Sequence, residues 1–294
     1  MNKVGFICVG IMGKSMVRNL MKAGFELHIY ARTKSKVEDV ISEGAQFHES
    51  IKDCVQDCDA VITIVGFPQD VEEVYFDEGN ILDSAKEGAY LIDMTTTSPQ
   101  IAEKIYAEGT KRGFHVMDAP VTGGDTGAKA GTLSILVGGE KEDYEACMPL
   151  FEAMGTNINY QGKAGCGQHC KLANQIMIAG TLSGVCEALT YAKEQGLDPE
   201  VFMKSVATGA AGSKQLDTFG PKILKDDYAP GFFMKHFIKD MKLALIEANR
   251  KGLSLDVLSM VLANYEELEQ EGYGDLGTQA LMKFYDEEHR NTEE

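Results

Sequence analysis

The sequence contains no run of about 18 apolar residues, so no membrane-spanning helix is expected. It is poor in cations: 28 Lys and Arg stand against 45 Asp and Glu, a formal net charge of −17. Nucleic acid and anionic membrane surfaces are bound through basic faces, so neither is expected as a partner. A small anionic molecule fits this balance, because a few local cations suffice to bind it. The apolar run Val4–Val9 is too short for a secretory core and gives way to glycines and charges. Cysteines number seven, an odd count that points to reduced thiols and a cytoplasmic location. Three metal-ligating types, Cys166, His169 and Cys170 in "CGQHC", can share one helix face. A zinc site needs a fourth ligand or a water, no spacing supplies one, and no metal is expected. Internal repeats and low-complexity segments are also missing. The acidic end "YDEEHRNTEE" reads as a solvated helix end fraying into a tail.

What is present is alternation. At 294 residues the chain suits one large or two ordinary domains. Strand-like apolar runs occur at Val4–Val9, Leu27–Tyr30, Ala60–Val65, Tyr90–Asp93, Phe114–Met117 and Leu133–Val137, with a short one near Ile158. Helical patterns lie between them at Lys14–Ala23, Lys34–Glu43, Pro99–Gly109 and Lys141–Met154. This order predicts a parallel sheet with right-handed crossovers. After Gly162 only helical patterns follow: Gln168–Gln195, Pro199–Thr208, Phe237–Lys251 and Asp256–Glu271. Asp198 before Pro199 is a cap and first-turn pair. The expected fold is therefore α/β, a Rossmann-type doubly wound sheet (1–163) followed by an all-α domain (164–294), joined by a long helix.

The stretch "GFICVGIMG" follows the first strand and opens a helix, the context in which a glycine-rich loop binds a dinucleotide. Gly10 occupies the position where backbone approaches a pyrophosphate, and Gly13 the one where helix packs on sheet. The first glycine of the frame is Cys8. If that position is left-handed, a non-glycine residue costs about 1–2 kcal/mol there. An NAD site in this fold expects an acid about 20 residues beyond the glycines. Here "YARTKSK" offers Arg32 and Thr33, a cation and a hydroxyl suited to a 2′-phosphate. NADP is the expected cofactor. NAD is the alternative, with Arg32 lying over the adenine.

Four blocks in order resemble the β-hydroxyacid dehydrogenase family, which includes 3-hydroxyisobutyrate dehydrogenases and tartronate and succinic semialdehyde reductases. They are "GFICVGIMGKSMVRNL", "DAPVTGGDTGAKAGTLSILVGG" from Asp118, "GCGQHCKLANQ" from Gly165, and "FIKDMKLA". Thr122 stands where Ser is commoner, Gln175 where a second Asn is usual, and Lys214 where relatives often carry Trp. The resemblance implies hydride transfer between a nicotinamide and a small 3-hydroxy acid or its semialdehyde, with Lys171 as the catalytic lysine. It implies substrate binding at Thr122, Gly123, Gly124, Asn174 and Gln175. Cofactor contacts are implied at Gly10, Ile11, Met12, Arg32, Thr33, Val65, Thr96 and Lys239.

The residue types suit those roles. Thr122-Gly123-Gly124 offers a hydroxyl and unobstructed amides to a carboxylate. Asn174 and Gln175 lie one helical turn beyond Lys171, so all three can converge. A lysine so placed can give a proton to a nascent alkoxide and take it back in oxidation. The helical domain is expected to supply a homodimer or homotetramer interface. Two alternatives stand beside this reading: a catalytically silent dinucleotide-binding redox sensor built on Cys8, and a decarboxylating dehydrogenase of the 6-phosphogluconate type.

Overall fold

A computed structural model describes residues 1–285. The chain forms two compact units, Met1–Lys171 and Leu172–Glu294. The strands of the first unit are β1 (Lys3–Ile7), β2 (Glu26–Tyr30), β3 (Gln46–Phe47), β4 (Ala60–Thr63) and β5 (Tyr90–Asp93). They continue with β6 (His115–Asp118), β7 (Val121–Thr122), β8 (Leu133–Gly138) and β9 (Gly155–Gly162). All join one sheet in the order β3-β2-β1-β4-β5-β6-β8-β7, with β9 paired to β8. From β3 to β6 neighbouring strands are parallel. β8 runs antiparallel to β6 and β7. The strand order reverses at β1 and β4, and in such sheets ligands bind outside the carboxyl ends at that reversal.

The helices of this unit are α1 (Ile11–Lys22), α2 (Glu38–Ser42), α3 (Ile51–Val55), α4 (Pro68–Phe76) and α5 (Ile81–Ser84). After them come α6 (Pro99–Lys111), α7 (Gly124–Ala130), α8 (Lys141–Ala146) and α9 (Met148–Met154). They cover both faces of the sheet, which explains why its strands read as near-continuous apolar runs. Phe6, Met16, Leu20, Ile62, Ile92 and Phe151 fill one core. Ile7, Cys54, Val61, Tyr75, Leu91 and Ile105 fill the other.

The structure corrects several expected boundaries. β1 stops at Ile7 because Cys8 turns to a φ of +67°. The single helix expected over 141–154 is two, separated at Cys147. Pro149 has no N–H to continue the ladder and crowds the backbone before it.

The second unit holds most of α10 (Cys166–Glu194), then α11 (Pro199–Val206), α12 (Lys214–Ile223), α13 (Met234–Arg250) and α14 (Asp256–Gln270). α10 runs through the division between the units. By length and composition it alone among the described residues could cross a membrane. Its apolar stripe is accounted for by packing, since Leu172, Ala179, Leu182, Cys186 and Leu189 belong to the helical core. Phe237 of α13 meets Tyr265 of α14 edge-on at 5.4 Å. The Asp198 carboxylate caps α11, accepting from the N–H groups of Glu200 (2.9 Å) and Val201 (3.2 Å). The "YDEEHRNTEE" tail lies, beyond Tyr285, outside the described residues.

Candidate active site

The turn between β1 and α1 is tight and opens directly onto a helix start. Cys8 holds the left-handed conformation that a first glycine would supply, and its N–H bonds to the Tyr30 carbonyl at 2.9 Å. A Cβ added at Gly13 would sit 3.1 Å from both the Cys8 carbonyl oxygen and the Phe6 ring, so only glycine lets α1 pack this closely. A Cβ at Gly10 would meet nothing within 4 Å, leaving open space over the helix start. The first turn of α1 carries no acidic residue, and no side chain caps it. Its N–H groups and dipole therefore suit an anion. Ile11, at the first position, is 55% exposed.

Arg32 follows β2, and its guanidinium is held by Asp70 (2.7 Å) and Glu73 (2.9 Å) of α4. Thr33 beside it is exposed. The Cys8 thiol lies within the field of the same three groups. Burial pushes it up to about 11; Arg32 opposes that shift, and Asp70 and Glu73 add to it. Position at a helix N-terminus thus does not activate this thiol.

Further along the carboxyl edge, buried polar groups tie the loops together. The Val65 N–H bonds to the Thr95 hydroxyl at 2.9 Å, joining the two segments that contain Val65 and Thr96. Asp93, the last residue of β5, accepts from the Thr63 hydroxyl (2.7 Å) and the Thr95 N–H (3.1 Å). It is fully buried, and burial raises its carboxyl to about 6. Asp118 ends β6 and accepts from the N–H groups of Gly165 (2.7 Å) and Gln168 (2.8 Å), capping α10. Burial raises this carboxyl too, against those two bonds. Lys171 sits on the first turns of that helix and is 7% exposed. Gly123 (φ +131°) and Gly124 (φ +65°) follow Thr122 in conformations that side chains disfavour, and both residues are exposed.

In the second unit, Asn174 donates to the Gln175 carboxamide oxygen at 2.8 Å, and Gln175 donates to Asp240 at 2.7 Å. The Lys239 ammonium lies 3.0 Å from the other Asp240 oxygen. Gln175 and Asp240 are buried. These residues form one polar chain, and its Lys239 and Asp240 both come from the "FIKDMKLA" block. Lys214 opens α12, which Ser213 caps through its hydroxyl to the Leu216 N–H at 3.1 Å.

Two family models cover the chain. One described as the NAD binding domain of 6-phosphogluconate dehydrogenase matches residues 3–162. Another, described as NAD-binding of NADP-dependent 3-hydroxyisobutyrate dehydrogenase, matches residues 165–285. A probable 3-hydroxyisobutyrate dehydrogenase-like mitochondrial protein of Arabidopsis thaliana is 44% identical, over 95% of this chain and 84% of its own. The chain belongs to the β-hydroxyacid dehydrogenase family. It is an NAD(P)-dependent hydroxyacid dehydrogenase. An uncharacterised oxidoreductase of Bacillus subtilis is 49% identical, over 96% of this chain and 98% of its own. The 3-hydroxyisobutyrate dehydrogenase of Mycobacterium tuberculosis, solved with L-serine, matches at a TM-score of 0.88 and 26% identity, covering 96% of this chain and 98% of that one.

The open space over Gly10 and the acid-free start of α1 fit the pyrophosphate of the family's cofactor. The redox-sensor alternative is not favoured, since the family models and relatives are those of dehydrogenases. Among the described residues no three His, Cys, Asp or Glu side chains are grouped to hold a metal ion. Sequence reasoning gave no role to Thr63, Thr95 or Gln168. Gln168 stood inside a quoted block, and only its partners, 71 and 73 residues away, reveal what it does.

Proposed function

We propose that this dehydrogenase prefers NADP and interconverts a small 3-hydroxy acid with its semialdehyde, with Lys171 as the proton-transferring group. A nicotinamide held there would supply the hydride chemistry at the carbon bearing the oxygen. The Lys171 amine takes the hydroxyl proton in oxidation and returns it to the oxygen in reduction. Thr122, Gly123 and Gly124 receive the substrate carboxylate, while Asn174 and Gln175 hold it from the turn of α10 beyond Lys171. Gly10, Ile11 and Met12 hold the pyrophosphate, and Arg32 and Thr33 bind a 2′-phosphate. Val65, Thr96 and Lys239 complete the cofactor side.

The observation that carries the reading is the buried Lys171 on a helix whose N-terminus is bonded to the end of β6. The relative solved with L-serine supports the substrate class, because serine and 3-hydroxyisobutyrate share a hydroxyl on the third carbon of an acid. A homodimer or homotetramer interface belongs to the helical unit, where Met177 (74%), Val257 (58%) and Met260 (52%) are exposed apolar side chains. The cytoplasm suits seven cysteines that are all free thiols.

The test is nicotinamide reduction with a panel of 3-hydroxy acids, and its reverse with their semialdehydes, using both cofactors. The expected result is turnover on at least one 3-hydroxy acid with lower KM for NADP. Turnover confined to 2-hydroxy acids or to a 6-phosphosugar acid would overturn it.

A further inference from the structure

Gln168 is completely buried, and both ends of its carboxamide are hydrogen-bonded to backbone far away in sequence. Its carboxamide oxygen accepts from the Thr97 N–H at 3.0 Å, and its NH2 donates to the Thr95 carbonyl at 2.7 Å. Its own N–H donates to Asp118 at 2.8 Å. One residue thus joins three elements: the loop after β5, the end of β6 and the first turn of α10. On a helix, residues three apart share a face about one turn from each other, so Gln168 lies one turn before Lys171 on the same face of α10. Its two carboxamide partners flank Thr96.

We propose that Gln168 is a positioning residue, fixing the Thr95–Thr97 loop against the helix turn that bears Lys171. The proposal rests on the assignment of proton transfer to Lys171 and of a cofactor contact to Thr96. Hydride and proton leave or reach adjacent atoms of the substrate, so the two protein groups that set those positions must keep a constant separation. A displacement of about 1 Å at such a site can cost about a hundredfold in rate. A carboxamide suits the task because it donates and accepts at once, whereas a carboxylate only accepts.

That difference gives the test. In Gln168→Glu the neutral carboxyl reproduces both bonds, with its O–H donating to the Thr95 carbonyl. Once ionised, it sets an oxygen anion against that carbonyl. The charged groups around position 168 are Asp118 on β6, Asp93 on β5, Glu103 on α6 beside Gly165, and His169 and Lys171 on its own helix. Burial and the carboxyl neighbours hold the new carboxyl in its neutral form to higher pH than an exposed glutamate.

The parent, Gln168→Glu, Gln168→Leu and Lys171→Ala are compared in three measurements: turnover against pH, cofactor affinity by titration, and amide hydrogen exchange over residues 94–98. Gln168→Leu is expected to lose about a hundredfold in kcat at every pH while its cofactor Kd stays within about threefold. In Gln168→Leu the 94–98 segment exchanges at least about tenfold faster. Gln168→Glu keeps near-parent turnover at acid pH and loses it as pH rises, opposite in sign to the parent's oxidative rate. Unchanged exchange in Gln168→Leu, or a kcat within threefold of the parent, overturns the proposal. So does a Gln168→Glu loss that is equal at all pH values, which would mark a general packing role. A parent that oxidises no 3-hydroxy acid, or a Lys171→Ala variant at parental rate, overturns the functional assignment instead. The exchange measurement still decides whether Gln168 ties the loop.

Discussion

Cys8 shows how a single residue can occupy a position that favours glycine without abolishing its geometry. Its φ of +67° is the left-handed conformation that costs a side-chain-bearing residue about 1–2 kcal/mol. Cys8→Gly is therefore expected to raise stability and to bind NADPH as well as or better than the parent, by a gain of up to about 1–2 kcal/mol. Weaker NADPH binding in a fluorescence titration would mean that the thiol makes a favourable contact. Arg32 is tuned by its neighbours in a way no local pattern in the sequence announced. Asp70 and Glu73 engage the guanidinium that a 2′-phosphate would need, and their charge opposes an anion. Glu73 is half-exposed, so its pair is weak and screened. Glu73→Gln should raise the preference for NADPH over NADH by about three- to tenfold, about 0.7–1.4 kcal/mol. An unchanged ratio would show that Arg32 does not meet the phosphate. Asp93 carries a pH signature of its own. Its carboxyl, raised by burial to about 6, binds a proton more tightly in the folded than in the unfolded chain. Its stabilising contribution is full below about pH 4 and is lost as pH rises through about 6, a change of about 3 kcal/mol. Asp93→Asn should remove that part of the pH dependence from urea unfolding measured between these values. A variant whose stability tracks the parent's across the window would place the titration elsewhere.

At the scale of elements, the strands that form the parallel sheet were legible because burial on both faces leaves continuous apolar runs. The two-residue strands β3 and β7 and the short helices α3, α5 and α7 were not, as so few residues carry no period. α10 was legible as a helix from its spacing, but its anchoring was not. Asp118 lies 47 residues from Gly165, and nothing local signals that its carboxylate caps that helix. The cap satisfies two N–H groups in a buried setting, and leaving them unpaired costs about 2–4 kcal/mol in all. Asp118→Ala should lower the urea midpoint by that amount of stability, with the m-value unchanged. A loss below about 0.5 kcal/mol would mean that water or another group replaces the carboxylate. The same distance effect hid Gln168, whereas Lys171, Asn174 and Gln175 were proposed from a contiguous block.

For the whole molecule, the two units, Met1–Lys171 and Leu172–Glu294, carry different candidate groups. The first unit carries the glycine turn, Arg32, Val65, Thr96 and Thr122–Gly124 on strand ends, loops and helix starts, and Lys171 near the start of α10. The second gathers Asn174, Gln175, Lys239 and Asp240 in one polar chain around the buried Gln175 and Asp240. Family membership fixes the reaction type as hydroxyacid dehydrogenation. The central claim beyond it is that Lys171 moves the proton. Steady-state turnover of Lys171→Ala on the best 3-hydroxy acid, with cofactor affinity titrated in parallel, tests it most directly. The account predicts a loss of about 10²–10⁴-fold in kcat with cofactor Kd nearly unchanged, and a parental oxidative rate that rises with pH as the lysine becomes able to accept a proton. A Lys171→Ala variant that keeps half the parent's turnover would contradict it.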